Sequence, residues 1–216
     1  DDEIIKAIRS KKNSSMRLGI NAVKNKDAGA CVSAGNTGAL MALSKIILKM
    51  IPGIDRPAIC GSLPTKIGQC HILDLGANVE CDANHLYQFS ILGSALVQSL
   101  EINTRPVIGL LNVGSEEFKG NDTIKNAGQL MQGSKLNYAG FVEGDEIFNG
   151  NFDVIVSDGF AGNIALKSIE GVAKLISHFI KTEFNKSIFT KLAALISYPV
   201  MGAVKNKVDP RKYNGA

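Results

Sequence analysis

Lysine, asparagine and glycine are concentrated in a few short loops, and they are the residues of this chain best suited to hold an anion. Lys119, Gly120 and Asn121 follow one apolar run, and Gly162 and Asn163 follow another. An ammonium group, an asparagine amide and the bare N–H groups of a helix N-terminus all donate hydrogen bonds to a phosphate or an oxyanion. This combination predicts group transfer by positioning and electrostatics, without a covalent enzyme intermediate.

Several other kinds of chemistry lack their characteristic segments. The sequence contains no G-x-x-x-x-G-K-[ST], no G-x-G-x-x-G and no G-x-S-x-G segment. Its three His and four Cys residues lack the spacing of metal ligands, and Glu116-Glu117 stand on a loop without evident partners. We therefore expect no metal ion.

Alternating strands and helices must position the loops. Strands are predicted over residues 30–33, 56–63, 71–75, 106–111, 136–142 and 153–156, and helices over 4–9, 16–25, 39–50, 84–100, from 122 to about 131, and from 162 to about 183. This alternation predicts an α/β fold with a mostly parallel sheet. Ligands in such sheets collect at the C-terminal strand ends, so we expect Asn36, Asn78, Asn121 and Asn163 at one end of the sheet.

The C-terminal part of the chain is apolar and basic. Residues 188–204 are apolar but interrupted by Lys191 and Pro199, so no bilayer span is expected. From residue 181 onward there are seven basic and two acidic residues. A core or dimer-interface helix pair and an interfacial membrane helix are both open interpretations. Such a tail suits an acidic protein, a membrane surface or nucleic acid.

Composition narrows these choices. Hydrophobic residues make up 45% and charged residues 20% of the 216 residues, as in ordinary globular proteins. The absence of Trp and the low aromatic content of 6% argue against stacking platforms for single-stranded nucleic acid, so no nucleic-acid partner is expected. The four cysteines form no C-x-x-C pair and are predicted to be buried free thiols.

An ordered set of segments closely resembles the bacterial phosphate acyltransferases of phospholipid synthesis (PlsX type). The segments are SAGNTGALMA (33–42), GIDRPAI (53–59), LPT (63–65), LDLGANVECD (73–82), GLLNVGSEEFKGN (109–121), FVEGDEIF (141–148) and SDGFAGNIALKSIEG (157–171), preceded by KKNSSM (11–16). The resemblance implies a cofactor-free enzyme that moves a fatty acyl group from acyl-acyl carrier protein to inorganic phosphate. The acyl phosphate formed then serves glycerol-3-phosphate acylation.

The resemblance also implies an architecture and a location. The fold would be a three-layer α/β sandwich similar to phosphate acetyltransferases and to isocitrate and isopropylmalate dehydrogenases. The protein would be a cytoplasmic homodimer that associates peripherally with the inner face of the membrane. It would hand its product to the downstream glycerol-3-phosphate acyltransferase.

Carried over residue by residue, the resemblance implies that Lys119 and Asn163 are catalytic. Lys119 would bind the attacking phosphate, and the Asn163 amide would orient phosphate or donate to the thioester oxyanion. Further candidate substrate or phosphate contacts are Asn36, Thr37, Gly38, Asn78, Gly120, Asn121, Asp158 and Gly162, for which a structural turn is the competing interpretation. Leu192, Leu195 and Ile196 are the candidate membrane or dimer contacts.

Two segments typical of the family are not found in these 216 residues, namely an N-terminal Asp-Ala-Met-Gly-Gly-Asp loop and a later glycine-rich segment. We therefore expect a fragment. Residues 1–184 would form a catalytic domain incomplete at its N-terminus, and 185–216 a helical segment continuing beyond the chain. The alternatives are a short-chain acyltransferase using a coenzyme A thioester, an isocitrate-type dehydrogenase and a non-enzymatic membrane-associated scaffold.

Overall fold

Strands and helices alternate along the chain in the computed structural model, which describes residues 12–208. The helices are α1 (Ser15–Lys24), α2 (Thr37–Leu48), α3 (Ala83–Ser99), α4 (Asp122–Gln132), α5 (Gly159–Phe184) and α6 (Ile188–Val208), and the strands are β1 (Cys60–Pro64), β2 (Gln69–Leu73), β3 (Val107–Leu111), β4 (Asn137–Val142) and β5 (Val154–Val156). A short 3₁₀ turn covers Glu146–Phe148. The predicted α/β class is confirmed, while the predicted helix over residues 4–9 lies outside the described residues.

The five strands form one sheet in the order β1-β2-β5-β3-β4. β2, β5, β3 and β4 are parallel, and β1 pairs antiparallel with β2 at one edge. Leu73 is in register with Val156, and Leu111 with Val142, so these strands end along a common edge. The loops after β2, β5 and β3 therefore leave the sheet on the same side, as predicted for Asn78, Asn163 and Asn121.

Apolar side chains pack on both faces of the sheet. One cluster joins β3 and β5 to Phe89 of α3 and Met131 of α4, both fully buried. The other joins β2 and β5 to Ile147 and to the half-buried Leu166 and Ile169 of α5. Each fully buried side chain of this size contributes about 1.5–3 kcal/mol. Helical elements thus cover both faces, which gives the three-layer arrangement.

The predicted strand over residues 30–33 is wrong. These residues adopt no strand, and the Val32 side chain is 87% exposed. A strand needs a neighbouring backbone to satisfy its N–H and C=O groups, and none pairs with this segment within residues 12–208. The Asn36 loop consequently does not follow a strand of the sheet. It leads instead into α2, which packs on α1 around Ile20, Leu43 and Ile47.

The C-terminal helix is also longer than predicted. α6 is one continuous helix that contains Pro199, not a pair of helices broken there. A proline inside a helix removes one hydrogen bond and favours a kink, but it does not by itself end a helix whose other bonds persist. By length and composition alone, residues 188–207 are long and apolar enough to cross a bilayer, which corrects the expectation of no such segment. The helix is not buried against the rest of the described chain.

Candidate active site

An open cleft of about 730 Å³ lies between α2, the loop after β2 and the first turns of α5. It is lined by Thr37, Gly38, Met41, Ala42, Lys45, Arg56, Pro57, Ile59, Leu75, Gly76, Ala77, Asn78, Asn163, Leu166 and Lys167. The lining holds three cationic side chains and no carboxylate, and Met41, Leu75 and Leu166 supply an apolar wall. This mixture suits a ligand that joins an anionic group to an apolar one.

Four of the predicted site residues meet in this cleft, namely Thr37, Gly38, Asn78 and Asn163. Thr37 and Gly38 are the first residues of α2, where backbone N–H groups lack partners from a preceding turn. The positive end of the α2 dipole therefore adds to the three cations around the cleft. The sequence predicted that the loops before α2 and α5 and the loop after β2 lie close together, and the structure places them so. The prediction holds although residues 30–33, which precede α2, do not form a strand.

Asn163 has a side chain that is free to meet a ligand. The residue is exposed, and its amide makes no hydrogen bond with any other residue of the described part of the chain. It faces Gly76, whose φ of +127° favours glycine, and a Cβ atom built on Gly76 would lie 3.5 Å from the Asn163 Cβ. The loop after β2 therefore comes close to α5 and still leaves the Asn163 amide open to the cleft.

Lys119 is not among the residues that line this cleft. It follows β3, the strand next to β5, and its Nζ lies 2.8 Å from Oε2 of Glu116. The hydrogen bond and charge of Glu116 raise the pKa of Lys119, and Lys119 in turn lowers the pKa of the Glu116 carboxyl. The lysine is thus a protonated cation engaged with its own loop, and its predicted partnership with Asn163 stays a prediction.

The turn that carries Lys119 is ordered by its neighbours. Asn112 Nδ2 donates to the Lys119 carbonyl oxygen at 3.2 Å, and Gly120 adopts a φ of +86°. A Cβ atom on Gly120 would overlap the Asn112 side-chain amide, which would have to shift, so the positive φ is the main reason for glycine at this position. The conformation of the turn therefore explains the glycine at position 120 without a ligand contact.

Three other predicted contacts serve as helix N-caps. The side chain of Asn36 accepts from the Ala39 N–H at 2.9 Å, that of Asn121 from Ile124 at 2.9 Å and that of Asp158 from Ala161 at 2.7 Å. Such caps typically stabilise a protein by about 1 kcal/mol. α5 starts at Gly159, three residues before the predicted start, because Asp158 supplies its cap. The structural interpretation holds for all three, and their contact with substrate stays a prediction.

Gly162 is buried and allows α5 to pack tightly on the end of β2. A Cβ atom there would overlap the Asp74 carbonyl oxygen and lie 2.6 Å from the Ser157 Oγ. The first atom belongs to the backbone and cannot move aside cheaply. Gly162 is therefore required by the packing of helix against loop, which accounts for it without a phosphate contact.

Asp74 holds the loop after β2 in place, a role that the sequence analysis did not predict. It is fully buried, and its carboxylate accepts hydrogen bonds from the N–H groups of Ile59, Gly76, Ala77 and Asn78 at 2.7–3.2 Å. The Asn78 side-chain amide adds a further bond to it at 2.8 Å. An Asp between a strand and a Gly-Ala-Asn turn is the signal that could have indicated this role, because Asp readily bonds nearby backbone N–H groups.

Asn78 is explained by the same network. Its Nδ2 also donates to the Pro57 carbonyl oxygen at 2.8 Å, and its own carbonyl accepts from the Gly159 N–H at 2.8 Å. The residue ties the segment before β1, the loop after β2 and the start of α5 together. Its amide is thereby occupied, so Asn78 shapes the cleft from within its wall.

The described residues offer neither a cluster of metal ligands nor a reactive thiol for the site. Within residues 12–208 no three His, Cys, Asp or Glu side chains lie together as a metal would require. All four cysteines are free, and Cys70 is buried, whereas Cys31, Cys60 and Cys81 are half-buried. Burial raises the pKa of Cys60 and Cys81 to about 11 and that of Cys70 to about 12, so these thiols stay protonated near neutral pH.

The sheet and cleft define an α/β protein with the fold of the phosphotransacetylases. The EutD phosphotransacetylase from Staphylococcus aureus superposes with a TM-score of 0.57 at 19% identity, over 74% of this chain and 56% of that one. A phosphotransacetylase from Streptococcus pyogenes gives 0.59 at 18% identity, over 73% and 55%. At this identity the likeness concerns the fold alone. The fatty acid synthesis protein family matches residues 1–216, and the chain belongs to that family.

Curated relatives at high identity agree with this membership. The phosphate acyltransferases of Methylococcus capsulatus and Hydrogenovibrio crunogenus are each 58% identical over the whole chain, and that of Alkalilimnicola ehrlichii is 54% identical. The resemblance to phosphate acyltransferases predicted from the ordered motifs is thereby confirmed. The chain spans 63–64% of the length of these relatives.

Proposed function

We propose that the chain carries the core of a phosphate acyltransferase that moves a fatty acyl group from acyl-acyl carrier protein to inorganic phosphate. The observation that carries this proposal is the cleft around Asn163, which combines three cations, no carboxylate and an apolar wall. A phosphate needs the cations and a fatty acyl chain needs the wall. The name phosphate acyltransferase, carried by relatives of high identity, supports acyl transfer to phosphate.

The proposed reaction needs positioning and charge stabilisation. A phosphate oxygen attacks the thioester carbon, a C–O bond forms, and the C–S bond then breaks as the thiolate leaves and takes up a proton. The free amide of Asn163 orients the phosphate or donates to the thioester oxygen as negative charge develops there. Lys119 adds its positive charge once phosphate displaces Glu116 from it. Loss of one such donor typically costs about 100- to 1,000-fold in rate.

The carrier protein and the membrane are the proposed partners outside the cleft. Acyl carrier protein is acidic, so surface lysines and arginines would steer its docking, and binding would weaken at high salt. The second half of α5 and all of α6 expose large apolar side chains, among them Phe179, Phe189 and Leu195. This surface supports homodimer formation, peripheral attachment to the inner face of the cell membrane, or both. That location would place the acyl phosphate beside a membrane-bound glycerol-3-phosphate acyltransferase.

Two alternatives remain testable. A short-chain enzyme that uses a coenzyme A thioester would share the fold. Comparing the rates with acyl-acyl carrier protein and acyl-coenzyme A of the same chain length would separate the two cases. A scaffold without activity would use only the exposed α5–α6 surface. The apolar wall of the cleft favours a long acyl chain over the first alternative, and the open amide of Asn163 favours catalysis over the second.

Trapping the product with hydroxylamine tests the proposal directly. A chain extended to the length of the curated relatives is mixed with acyl-acyl carrier protein and phosphate, and acyl hydroxamate is measured. We expect phosphate-dependent hydroxamate, reduced about 100-fold or more in Asn163→Ala and unchanged in Asn25→Ala, an exposed asparagine at the C-terminus of α1. Absence of phosphate-dependent hydroxamate in the extended chain would refute the proposed function.

A further inference from the structure

Arg56 carries a positive charge in the cleft that no carboxylate neutralises within residues 12–208. The residue is half-buried, and the hydrogen bond its side chain makes there runs from Nη1 to the Glu80 carbonyl oxygen at 3.1 Å. Charges partly withdrawn from water are normally paired with an opposite charge. A carbonyl group leaves the charge and most of the guanidinium N–H groups available. Arg56 therefore has both the charge and the donors for an anion.

The other two cations of the cleft differ from Arg56. Lys167 is exposed and forms an ion pair with Glu170 at 3.1 Å. Lys45 is exposed and donates to the Asp55 carbonyl oxygen at 3.0 Å. Exposed ammonium groups are well hydrated and bind single anions weakly. Arg56 combines partial burial with the lack of a carboxylate, so it has more to gain from a ligand anion.

The backbone that carries Arg56 is fixed by the network around Asp74. The Pro57 carbonyl accepts from Asn78 Nδ2 at 2.8 Å, and the Ile59 N–H donates to Asp74 Oδ1 at 2.9 Å. The same carboxylate shapes the turn at Gly76 that faces Asn163. One buried group therefore sets the positions of both the Arg56 segment and the loop beside the catalytic asparagine. Such preorganisation lowers the cost of binding.

We propose that Arg56 binds a phosphate group in this cleft, a role that rests on the proposed function for the source of that group. Guanidinium presents a planar fork of N–H donors that matches two phosphate oxygens, which an ammonium cannot do. The proposed reaction offers phosphate chemistry from two sources. One is the inorganic phosphate that accepts the acyl chain, and the other is the phosphodiester of the pantetheine arm that carries it.

Steady-state kinetics in the extended chain distinguish the two sources. Arg56→Gln is expected to raise the KM for one of the two substrates about 10- to 100-fold, while kcat at saturation changes little. An increase for inorganic phosphate places the acceptor at Arg56, and an increase for the acyl carrier thioester places the pantetheine arm there. Arg105→Gln is the matched control, because it removes the same charge at an exposed position just before β3.

Two further measurements keep the test independent of folding and of turnover. Arg56→Lys retains a positive charge without the fork, and we expect it to recover only part of the lost affinity. Calorimetric titration of the variants with inorganic phosphate or with phosphopantetheine reports binding without catalysis. Thermal unfolding identifies any variant that has lost its fold. If Arg56→Gln has done so, the KM values of Arg56→Lys decide whether Arg56 binds phosphate.

The outcomes separate this proposal from the proposed function. If Arg56→Gln, or Arg56→Lys where the former unfolds, keeps both KM values and still makes acyl phosphate, the role of Arg56 is overturned and the proposed function stands. If the unsubstituted extended chain makes no acyl phosphate but binds phosphate or phosphopantetheine, and Arg56→Gln weakens that binding whereas Arg105→Gln does not, the Arg56 site stands and the proposed function falls.

Discussion

Lys119 and Glu116 form an ion pair across one turn of the loop after β3, with Nζ and Oε2 2.8 Å apart. The carboxylate raises the pKa of the lysine, so Lys119 is protonated throughout the neutral range. It also competes with any incoming anion for the ammonium group. The proposed binding of phosphate at Lys119 would therefore include the exchange of one negative partner for another.

Removing the competitor is expected to favour phosphate. Glu116→Gln should lower the KM for phosphate about two- to fivefold, as expected for loss of an exposed ion pair, and Lys119→Ala should lower kcat about 100-fold or more. Initial rates in the chain extended to the length of its relatives provide the measurement. Glu183→Gln removes the carboxylate of a similar exposed pair with Lys186 and should change neither constant. Full turnover by Lys119→Ala would show that this lysine takes no part in the reaction.

Two glycines of α5 provide a matched test of packing. Gly162→Ala should lower the free energy of unfolding by about 1–3 kcal/mol, because its Cβ overlaps the Asp74 backbone. Gly171→Ala should raise it by about 0.5–1 kcal/mol, because nothing lies within 4 Å of that Cβ and alanine favours the helix. Urea unfolding measures both values. Equal effects at the two positions would contradict the close approach of α5 to β2.

His71 predicts a dependence of stability on pH. Burial lowers its pKa more than the nearby Asp153 carboxylate raises it, and its Nε2 has no hydrogen-bond partner in the described chain. The imidazole of the unfolded chain therefore becomes protonated near pH 6.5, whereas the native imidazole becomes protonated only at lower pH. We expect the free energy of unfolding to fall as pH drops below about 6.5 towards the lower native pKa.

Substitution at His71 should remove part of that dependence. In urea titrations between pH 7.5 and about 5, His71→Gln should show a smaller loss of stability on acidification than the unsubstituted chain. His178→Gln changes an exposed histidine of α5 and should keep the original slope. If the slope is the same with and without His71, the buried imidazole is protonated in the native state as easily as in the unfolded one.

The apolar surface of α6 predicts membrane attachment. Leu195 is 72% exposed on a helix with lysines at several positions, and Leu195→Glu would place a negative charge where anionic lipid is met. We expect that this variant no longer floats with anionic vesicles in a flotation assay. Leu100→Glu, at an exposed leucine after α3, should float like the unsubstituted chain. Unchanged flotation of Leu195→Glu, with loss of the dimer in sedimentation, would assign the surface to dimer formation instead.

Local signals in the sequence were sufficient for most elements. The predicted strand over residues 106–111 corresponds to β3 (Val107–Leu111), and the predicted helix over residues 84–100 corresponds to α3 (Ala83–Ser99). Caps, apolar periodicity and glycine turns act over a few residues, so they can be recognised without the rest of the molecule. These local signals do not determine the order of the strands in the sheet, which only the structure provides.

Contacts between distant segments could not be predicted in this way. Residues 30–33 have strand-like composition, but a strand also requires a pairing partner, and the structure provides none in its described range. The turn after β2 could have indicated the bonds of Asp74 to nearby N–H groups, but its bond to the more distant Ile59 N–H is evident only in the structure. The arrangement of Lys119 relative to Asn163 likewise depends on how a loop folds onto Glu116, which sequence spacing does not encode.

The cleft has a mechanical consequence because its walls belong to two separate packing units. α1 and α2 are held together by their own cluster of Ile20, Leu43 and Ile47, whereas the opposite wall rests on the sheet through Asp74. A molecule bound between Thr37 and Asn163 touches both units at once. A ligand in this position would therefore hold the two units together, and at concentrations above its Kd we expect it to slow proteolysis and hydrogen exchange of the α1–α2 pair.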